Sequence, residues 1–525
     1  MSQSTLRSGP PVALDKQAQR RVLLAMLTAL VAVIASVSGL NVAQQGLALD
    51  LGASQGTILW IINAYTLALA ALLMPVGAVG DRWGRKPVLQ AGLVLFGLSG
   101  ALAAVAPSAS VMVAARIGAG AGAAMIMPVT LSVITSTFPP EERARAIGLW
   151  AGFAGSGGMI GLYVSAFMVD VLTWRWTFLL PVVLVAVSFV ITTLFVPNTR
   201  DGATHPFDTV GSVLSALAIG GLVLGIHEGP EKGWGHPLSI AGLVVGGAAL
   251  IGFVVWERRH PEPLLDISAF ADRGLATGSA TLLIVFAVMF GIFLVLFPFF
   301  QAVIGWSALR SAAALLPMAV AMMPMSTVAP QIAQRIGSRT TMLVGLAVFA
   351  TGLVVLALQA SVAGGYLSVL PGLVVMGLGM GMTMTPATAA STETLPPEKQ
   401  GVASALNDTS REIGGAVGVA LLGSILSSPY RSAIGPALEG LPPELAEPAS
   451  EGIGAAFGVA QGAGEQAPAI IAAAKEAFVA GWVRAMWIGV AMAVVALVFV
   501  AVRGPVRVTA AGAAEPAEPE PLVAD

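Results

Sequence analysis

Between Gly401 and Leu426 the apolar run GVASALNDTSREIGGAVGVALLGSIL is interrupted by Asn407, Asp408, Arg411 and Glu412. A charge at the centre of a bilayer costs about 2.5–3.5 kcal/mol on insertion scales, so three of them in five residues call for a use. Asp408 and Glu412 are four residues apart and Arg411 follows Asp408 by three, which puts all three on one broad face of a helix. At 1.5 Å of rise per residue, Glu412 falls about 17 Å from Gly401, near the middle of an apolar core about 30 Å thick. Such a face lines a central cavity rather than lipid. Two carboxyl groups one turn apart titrate as a coupled pair that can hold one proton, which is proton-carrier chemistry. The rival reading is a static ion pair of Arg411 with Asp408 or Glu412 that only locks the helix.

The elements that must carry this face are membrane spans. The chain has 525 residues, 56% hydrophobic and 10% charged, where soluble proteins average about 25% charged. Fourteen apolar runs can be drawn, at 22–43, 56–79, 87–106, 109–134, 144–169, 174–196, 208–227, 238–256, 275–300, 308–330, 340–360, 364–391, 401–427 and 477–502. An even number puts both termini on one side. With that side cytoplasmic, 18 of the 26 Lys and Arg residues lie inside, five outside and three within spans, as the positive-inside rule requires. The first run, from Val22 to Ala43, exceeds a signal-peptide core and is read as a span.

Several chemistries drop out on composition. With no cysteine there are no disulfides or thiolate metal sites, and His205, His227, His236 and His260 fall in or beside loops, which disfavours a histidine metal site. A net charge of -2 carries no signal for nucleic acid. No GxxxxGK[ST] loop is present, so energy must come from a gradient, and no cofactor is expected. An integral-membrane lipid enzyme is the remote alternative; the chain offers it no Asp-rich diphosphate motif and no nucleophile–base pair.

An internal repeat orders the spans. TFPPEERARAIGLWAGFAGSGG (137–158) aligns without gaps to TLPPEKQGVASALNDTSREIGG (394–415), an offset of 257 residues. GAGAGAAMIMP (118–128) echoes GLGMGMTMTP (377–386), and DRWGRK (81–86) echoes QRIGSR (334–339). Three echoes in one order predict two halves on one plan, a transporter signature. The boundaries expected are a cytoplasmic N-terminal segment 1–21, a six-helix half 22–200, a two-helix insertion 201–260, a second half 261–503 whose external loop 428–476 is an acidic, solvated cover with some amphipathic helix, and a disordered cytoplasmic Pro/Glu/Ala-rich tail 504–525. In the alignment Asp408, Arg411 and Glu412 face Ala151, Ala154 and Gly155. One copy of the scaffold does without the charges.

GAVGDRWGRK (77–86), in the loop between spans 2 and 3, offers Gly77 and Gly84 for close approach and Asp81, Arg82, Arg85 and Lys86 for pairing with each other and with helix ends. This stretch resembles motif A of the major facilitator superfamily, and RIGAGAGAAM (116–125) resembles its fourth-helix motif with a buried Arg116. Fourteen spans together with WIINAY (60–65), WRWTFL (174–179), NDTSREIGG and GPEKGW (229–234) are similar to the fourteen-helix drug:proton antiporter branch, the QacA- and EfpA-like exporters. The resemblance implies an all-α polytopic fold of two six-helix halves plus two inserted helices. Two departures stand out. Ser36 occupies the position, five residues before Asn41, where the family carries Asp; and GLYVSA (161–166) replaces the Gly-Pro-x-x-Gly-Gly antiporter motif, whose kink bears on coupling.

On this reading the chain is a bacterial inner-membrane secondary transporter, a monomer with both termini cytoplasmic, exporting amphipathic or hydrophobic compounds in exchange for protons. Glu412, Asp408, Arg411 and Arg116 would couple protons, the last either by tuning a carboxylate or merely by fixing helix packing. Asn41, Trp60, Asn63, Tyr65, Phe290, Phe293, Gln301, Met322 and Asn407 would line the substrate cavity; stripes such as Phe286–Phe297 and Met318–Met325 also suit plain helix packing. Gly77, Asp81, Arg82, Gly84, Arg85 and Lys86 would gate it. Ser36 and GLYVSA motivate the alternative of a lipid or apolar-metabolite exporter with weak or no proton coupling.

Overall fold

The computed structural model describes residues 15–51, 55–199, 207–395, 399–439, 442–462 and 464–504, with some side chains inside helices, including that of Asn41, outside the described set. The order is α1 (Lys16–Leu51), α2 (Gln55–Trp83), α3 (Arg85–Ala104), α4 (Ala109–Thr137), α5 (Pro140–Val171), α6 (Trp176–Phe195), α7 (Thr209–Lys232) and α8 (Pro237–Glu257). Then come α9 (Arg273–Pro298), α10 (Ala308–Ala313), α11 (Leu316–Ile336), α12 (Ser338–Gln359), α13 (Leu370–Glu393), α14 (Gln400–Leu438), α15 (Pro443–Glu451), α16 (Ile453–Ala460) and α17 (Ala467–Arg503). Helix starts carry side-chain acceptors for the free N–H groups: Ser108 on Val111, Asp208 on Gly211 and Asp272 on Gly274 and Leu275. Gly84 ends α2 at φ 109°, a backbone conformation that side chains rarely adopt.

Among the described residues thirteen helical stretches are long and apolar enough to cross a bilayer. α14 is not one of them, since its apolar stretch carries Asp408, Arg411 and Glu412, yet it lies within the bundle against α2, α9 and α17. With α14 the spans number fourteen, as expected.

α1 to α6 pack on one another, as do α9 and α11 to α17, and α7–α8 forms a hairpin resting on α2 and α14. The two halves meet along two seams, α2 and α4 against α14, and α5 against α11 and α13. Small residues set how close these helices come. A Cβ on Gly152 would strike Ser326, and one on Gly155 would lie 2.7 Å from the Met322 methyl, so the uncharged copy of the repeat is small where α5 crosses α11. In the other copy Gly414 and Gly418 lie on the Leu283 and Ala287 carbonyls, drawing α14 onto α9. α5 runs unbroken through Gly161–Ala166, where Gly161 rests on Ala35 and Ser165 on Gly39 of α1.

The segment 428–476, expected as a solvated outer cover with some amphipathic helix, is largely helical over its described residues. α14 continues to Leu438 and α17 already starts at Ala467. Ile434, Leu438, Ile453 and Ile470 bury themselves with α15 and α16, and the Tyr430 hydroxyl donates to the Ala449 carbonyl at 3.3 Å. At 39 residues α14 is about 58 Å long, nearly twice the thickness of an apolar core.

Candidate functional site

The charged face of α14 turns inward. Asn407, Asp408 and Arg411 are buried and Glu412 is half-buried. Asn407 donates to Asp408 at 3.3 Å and accepts from Ser391 of α13 at 3.5 Å. The other carboxylate oxygen of Asp408, Oδ2, makes no hydrogen bond among the described residues. Arg411 forms no ion pair there either. Its Nη2 donates to Thr388 of α13 at 3.2 Å, and its guanidinium lies 4.7 Å from the Trp150 ring centre and 5.0 Å from that of Phe286. Trp150 belongs to α5 of the first half and Phe286 to α9 of the second, so Arg411 is held between aromatic rings of both. Trp150 is fixed in turn by its indole N–H on Thr130 of α4 at 3.0 Å. The static ion pair considered from the sequence is therefore not the arrangement found.

A second buried cation lies in the first half. Arg116 donates to the Ile61 carbonyl and to the Ser36 hydroxyl, both at 3.2 Å, and sits 4.2 Å from the Tyr65 ring centre. Ser36 thus fills, with a neutral acceptor, the place next to Arg116. The Tyr65 ring, whose hydroxyl donates to the Val33 carbonyl at 3.5 Å, is within electrostatic reach of Glu412 across the interface.

At the end of the bundle that carries the α2–α3 turn, Asp81 reaches across to the start of α14. Its carboxylate accepts from the backbone N–H of Gly401 at 2.7 Å and of Val402 at 3.1 Å, and from Arg85 at 2.7 Å. This caps the α14 N-terminus from another helix, where free N–H groups and the helix dipole favour an anion. A Cβ on Gly77 would lie 2.6 Å from the Gly401 carbonyl, so the seam closes only on glycine. Arg85 also donates to Thr199, Lys86 donates to the Thr193 carbonyl at 2.9 Å, Arg82 lies over the exposed Trp83, and Gly84 abuts Asn198. These contacts tie the α2–α3 turn to the end of α6.

The remaining candidates scatter. Asn63 is buried with no hydrogen bond to its Nδ2 among the described residues, and Trp60 sits at the far end of α2 with the Lys232 amine 5.7 Å from its ring. Phe286, Phe290 and Phe293 form a tilted stack along α9, with Phe290 against Gly415. Met322 is fully buried between α5 and α13, and Gln301 is exposed on a widened π turn, Phe299–Val303, beyond α9. Sequence reasoning passed over Trp150 and Thr388; Trp150 is the repeat twin of Asn407, which was the available signal.

Fourteen spans, two six-helix halves meeting over buried charges and a capped cross-half seam define a multi-pass membrane transporter. The family profile of the Major Facilitator Superfamily matches residues 24–419, about three quarters of the sequence. The chain belongs to that superfamily. It is 33% identical over 416 residues to the multidrug efflux pump LfrA of Mycolicibacterium smegmatis, covering 78% of this chain and 81% of the relative. It is 30% identical over 405 residues to the multidrug resistance protein Stp of Mycobacterium tuberculosis, covering 77% and 75%. The proton:xylose symporter XylE superposes with a TM-score of 0.58 at 13% identity over 94% of this chain and 97% of that one, which speaks for the fold.

Proposed function

We propose that the protein exports amphipathic or hydrophobic compounds, antibiotics and other drugs among them, across a bacterial inner membrane in exchange for protons. The observation that carries this reading is the pair Asp408 and Glu412, one turn apart in the first third of α14 and inside the bundle, with Glu412 in electrostatic reach of Tyr65 of the other half. A carboxyl pair in that place can take a proton when one side of the membrane is open and release it when the other is. The names of the two mycobacterial relatives support drug efflux as the transport task.

In this proposal the six helices of 22–200 and those of 261–503 rock about the α14 charges, with the insertion 201–260 moving alongside and both termini cytoplasmic. Asp81, Gly77, Gly84, Arg82, Arg85 and Lys86 hold the cytoplasmic seam shut while the site faces outward. Arg411 and Arg116 set the charge around the carboxyl pair, and Tyr65, Asn63, Asn407, Phe290 and Phe293 meet the substrate. Trp60, Gln301, Asn41 and Met322 belong to the same cavity in other stages of the cycle. The unit is a monomer.

The test is transport in proteoliposomes under an imposed pH gradient, using a lipophilic dye and a panel of antibiotics. Glu412→Gln and Asp408→Asn should each cut gradient-driven transport at least tenfold. If both variants keep full gradient-driven transport, the proton role is wrong. One observation favours a second reading, in which lipid or an apolar metabolite is exported with weak coupling: Arg116 rests on Ser36 rather than on a carboxylate. Downhill transport that ignores the gradient in the native chain would select it.

A further inference from the structure

Arg411 is placed where its own helix would not put it for stability. Asp408 lies three residues earlier on the same helical face, within reach of a side chain as long as arginine, and its Oδ2 is unpartnered. The guanidinium instead leans on Trp150 across the seam, with Phe286 and Thr388 of its own half holding the rest of it. Among the described residues the Nε of Arg411 is also without a hydrogen bond. Both unmet groups, an acceptor and a donor, would be satisfied by one swing of the side chain. Trp150 is locked by Thr130 and fully buried, so the seat on the first half is rigid.

We propose that Trp150 is a positioning residue for the transport cycle: it is the first-half seat of a movable clasp, and Arg411 shuttles between that seat and the Asp408 carboxylate. With Arg411 on Trp150 the α4/α5 side of the first half is held to α14. When Arg411 turns to Asp408 the contact across the seam is lost and the halves are free to part. The charged groups on elements around the guanidinium are Asp408 and Glu412 of α14, while α4, α5, α9 and α13 present the neutral Thr130, Trp150, Phe286 and Thr388. Asp408 enters here as an acceptor for arginine, so the clasp stands or falls separately from the proton role proposed above.

The chain has no cysteine, so two can be introduced cleanly, at exposed Arg145 near the start of α5 and exposed Ser338 at the start of α12. Spin labels there report the opening of the seam at the Asp81 end, in detergent with neither gradient nor substrate. Trp150→Leu should raise the ratio of long to short distances roughly tenfold, the size expected for losing a desolvated cation–π contact. Trp150→Phe, which keeps a ring, should return most of the short-distance population. Adding Asp408→Asn to Trp150→Leu should pull the distribution back toward the short distance, because the second seat is gone. If Trp150→Leu does not give monodisperse protein, Arg411→Lys tests the same seat from the other side and should lengthen the distance likewise. No shift on losing the ring or the guanidinium, or equal shifts with Phe and Leu, overturns the clasp; so does a full shift that persists with Asp408→Asn. Proteoliposome transport failing under every gradient would sink the exchange reading and leave these distances as they are.

Discussion

The carboxylate of Asp81, in the last turn of α2, accepts the backbone N–H of Gly401 at 2.7 Å, although 320 residues of chain separate them. One side chain of the first half therefore serves as the cap of a helix in the second. The bond is available only while Gly77 and Gly401 touch, so capping and closure of the seam are one event.

Asp81→Asn keeps the size of the side chain and removes the charge that the helix terminus attracts. A cap of this kind contributes about 0.5–2 kcal/mol, so the closed seam should lose roughly three- to thirtyfold in population. Hydrogen exchange read by mass spectrometry over residues 399–406 checks it: the amides of Gly401 and Val402 should exchange faster in the variant by about that factor. Unchanged protection would show that the cap does not hold the seam.

Ser36→Asp would put a carboxylate where Arg116 now finds a hydroxyl. Because the cation is already in place, the new charge is paired on arrival, and charge-assisted hydrogen bonds contribute about 1.5–3 kcal/mol. The variant is expected to fold, melt no lower than the native chain and show a steeper dependence of transport on the imposed pH gradient. A Tm several degrees lower would mean that the pocket cannot take the charge.

Gly418→Val drives a branched side chain into the carbonyl of Ala287, whereas Gly435 has nothing within 4 Å of a Cβ. The first substitution should cost about 1–3 kcal/mol as α14 is pushed off α9. The second, Gly435→Ala, should be neutral or stabilising by up to about 1 kcal/mol, since it removes helix-interior glycine. Melting curves in detergent for the two variants check the contrast.

Asp50 follows the same logic outside the spans. Its carboxyl is held below its ordinary value by hydrogen bonds from the Trp174 indole and from Arg175. A lowered carboxyl contributes its stabilisation fully above its ordinary range and loses it only as the pH falls through the lowered value. Asp50 is thus charged throughout pH 5 to 8, and Asp50→Asn should leave the shape of the transport–pH profile in that window as it is. A displaced profile would assign part of the pH dependence to the α1–α6 end contact.

The sequence foretold the fold because a bilayer leaves few options: runs of about 20 apolar residues must be helices, and a repeat at one offset must be two like halves. It also singled out Asp408, Arg411, Glu412, Arg116 and Asp81, since a charge in or beside an apolar run is conspicuous. What it did not contain was pairing. Thr388, Trp150 and Phe286 meet Arg411 from three other helices, and nothing in their local sequence separates them from ordinary packing residues. The outer segment was legible only in part. Its Glu, Pro and Gly content reads as a solvated cover with some amphipathic helix, and nothing in it foretells that Ile434, Leu438, Ile453 and Ile470 join the continuous apolar core of the second half.

The hairpin α7–α8 lies along α2 and α14, with Ile219 and Val223 buried against Ala70, Met74, Ala405 and Leu406. It occupies the flank of one of the two seams between the halves, and among the described residues it does not pack on the α5–α11 seam. To the surrounding lipid the molecule is therefore one-sided. Lipid on that flank touches α7–α8 before it can touch the seam, so the two added helices decide which junction of the halves is screened from the bilayer.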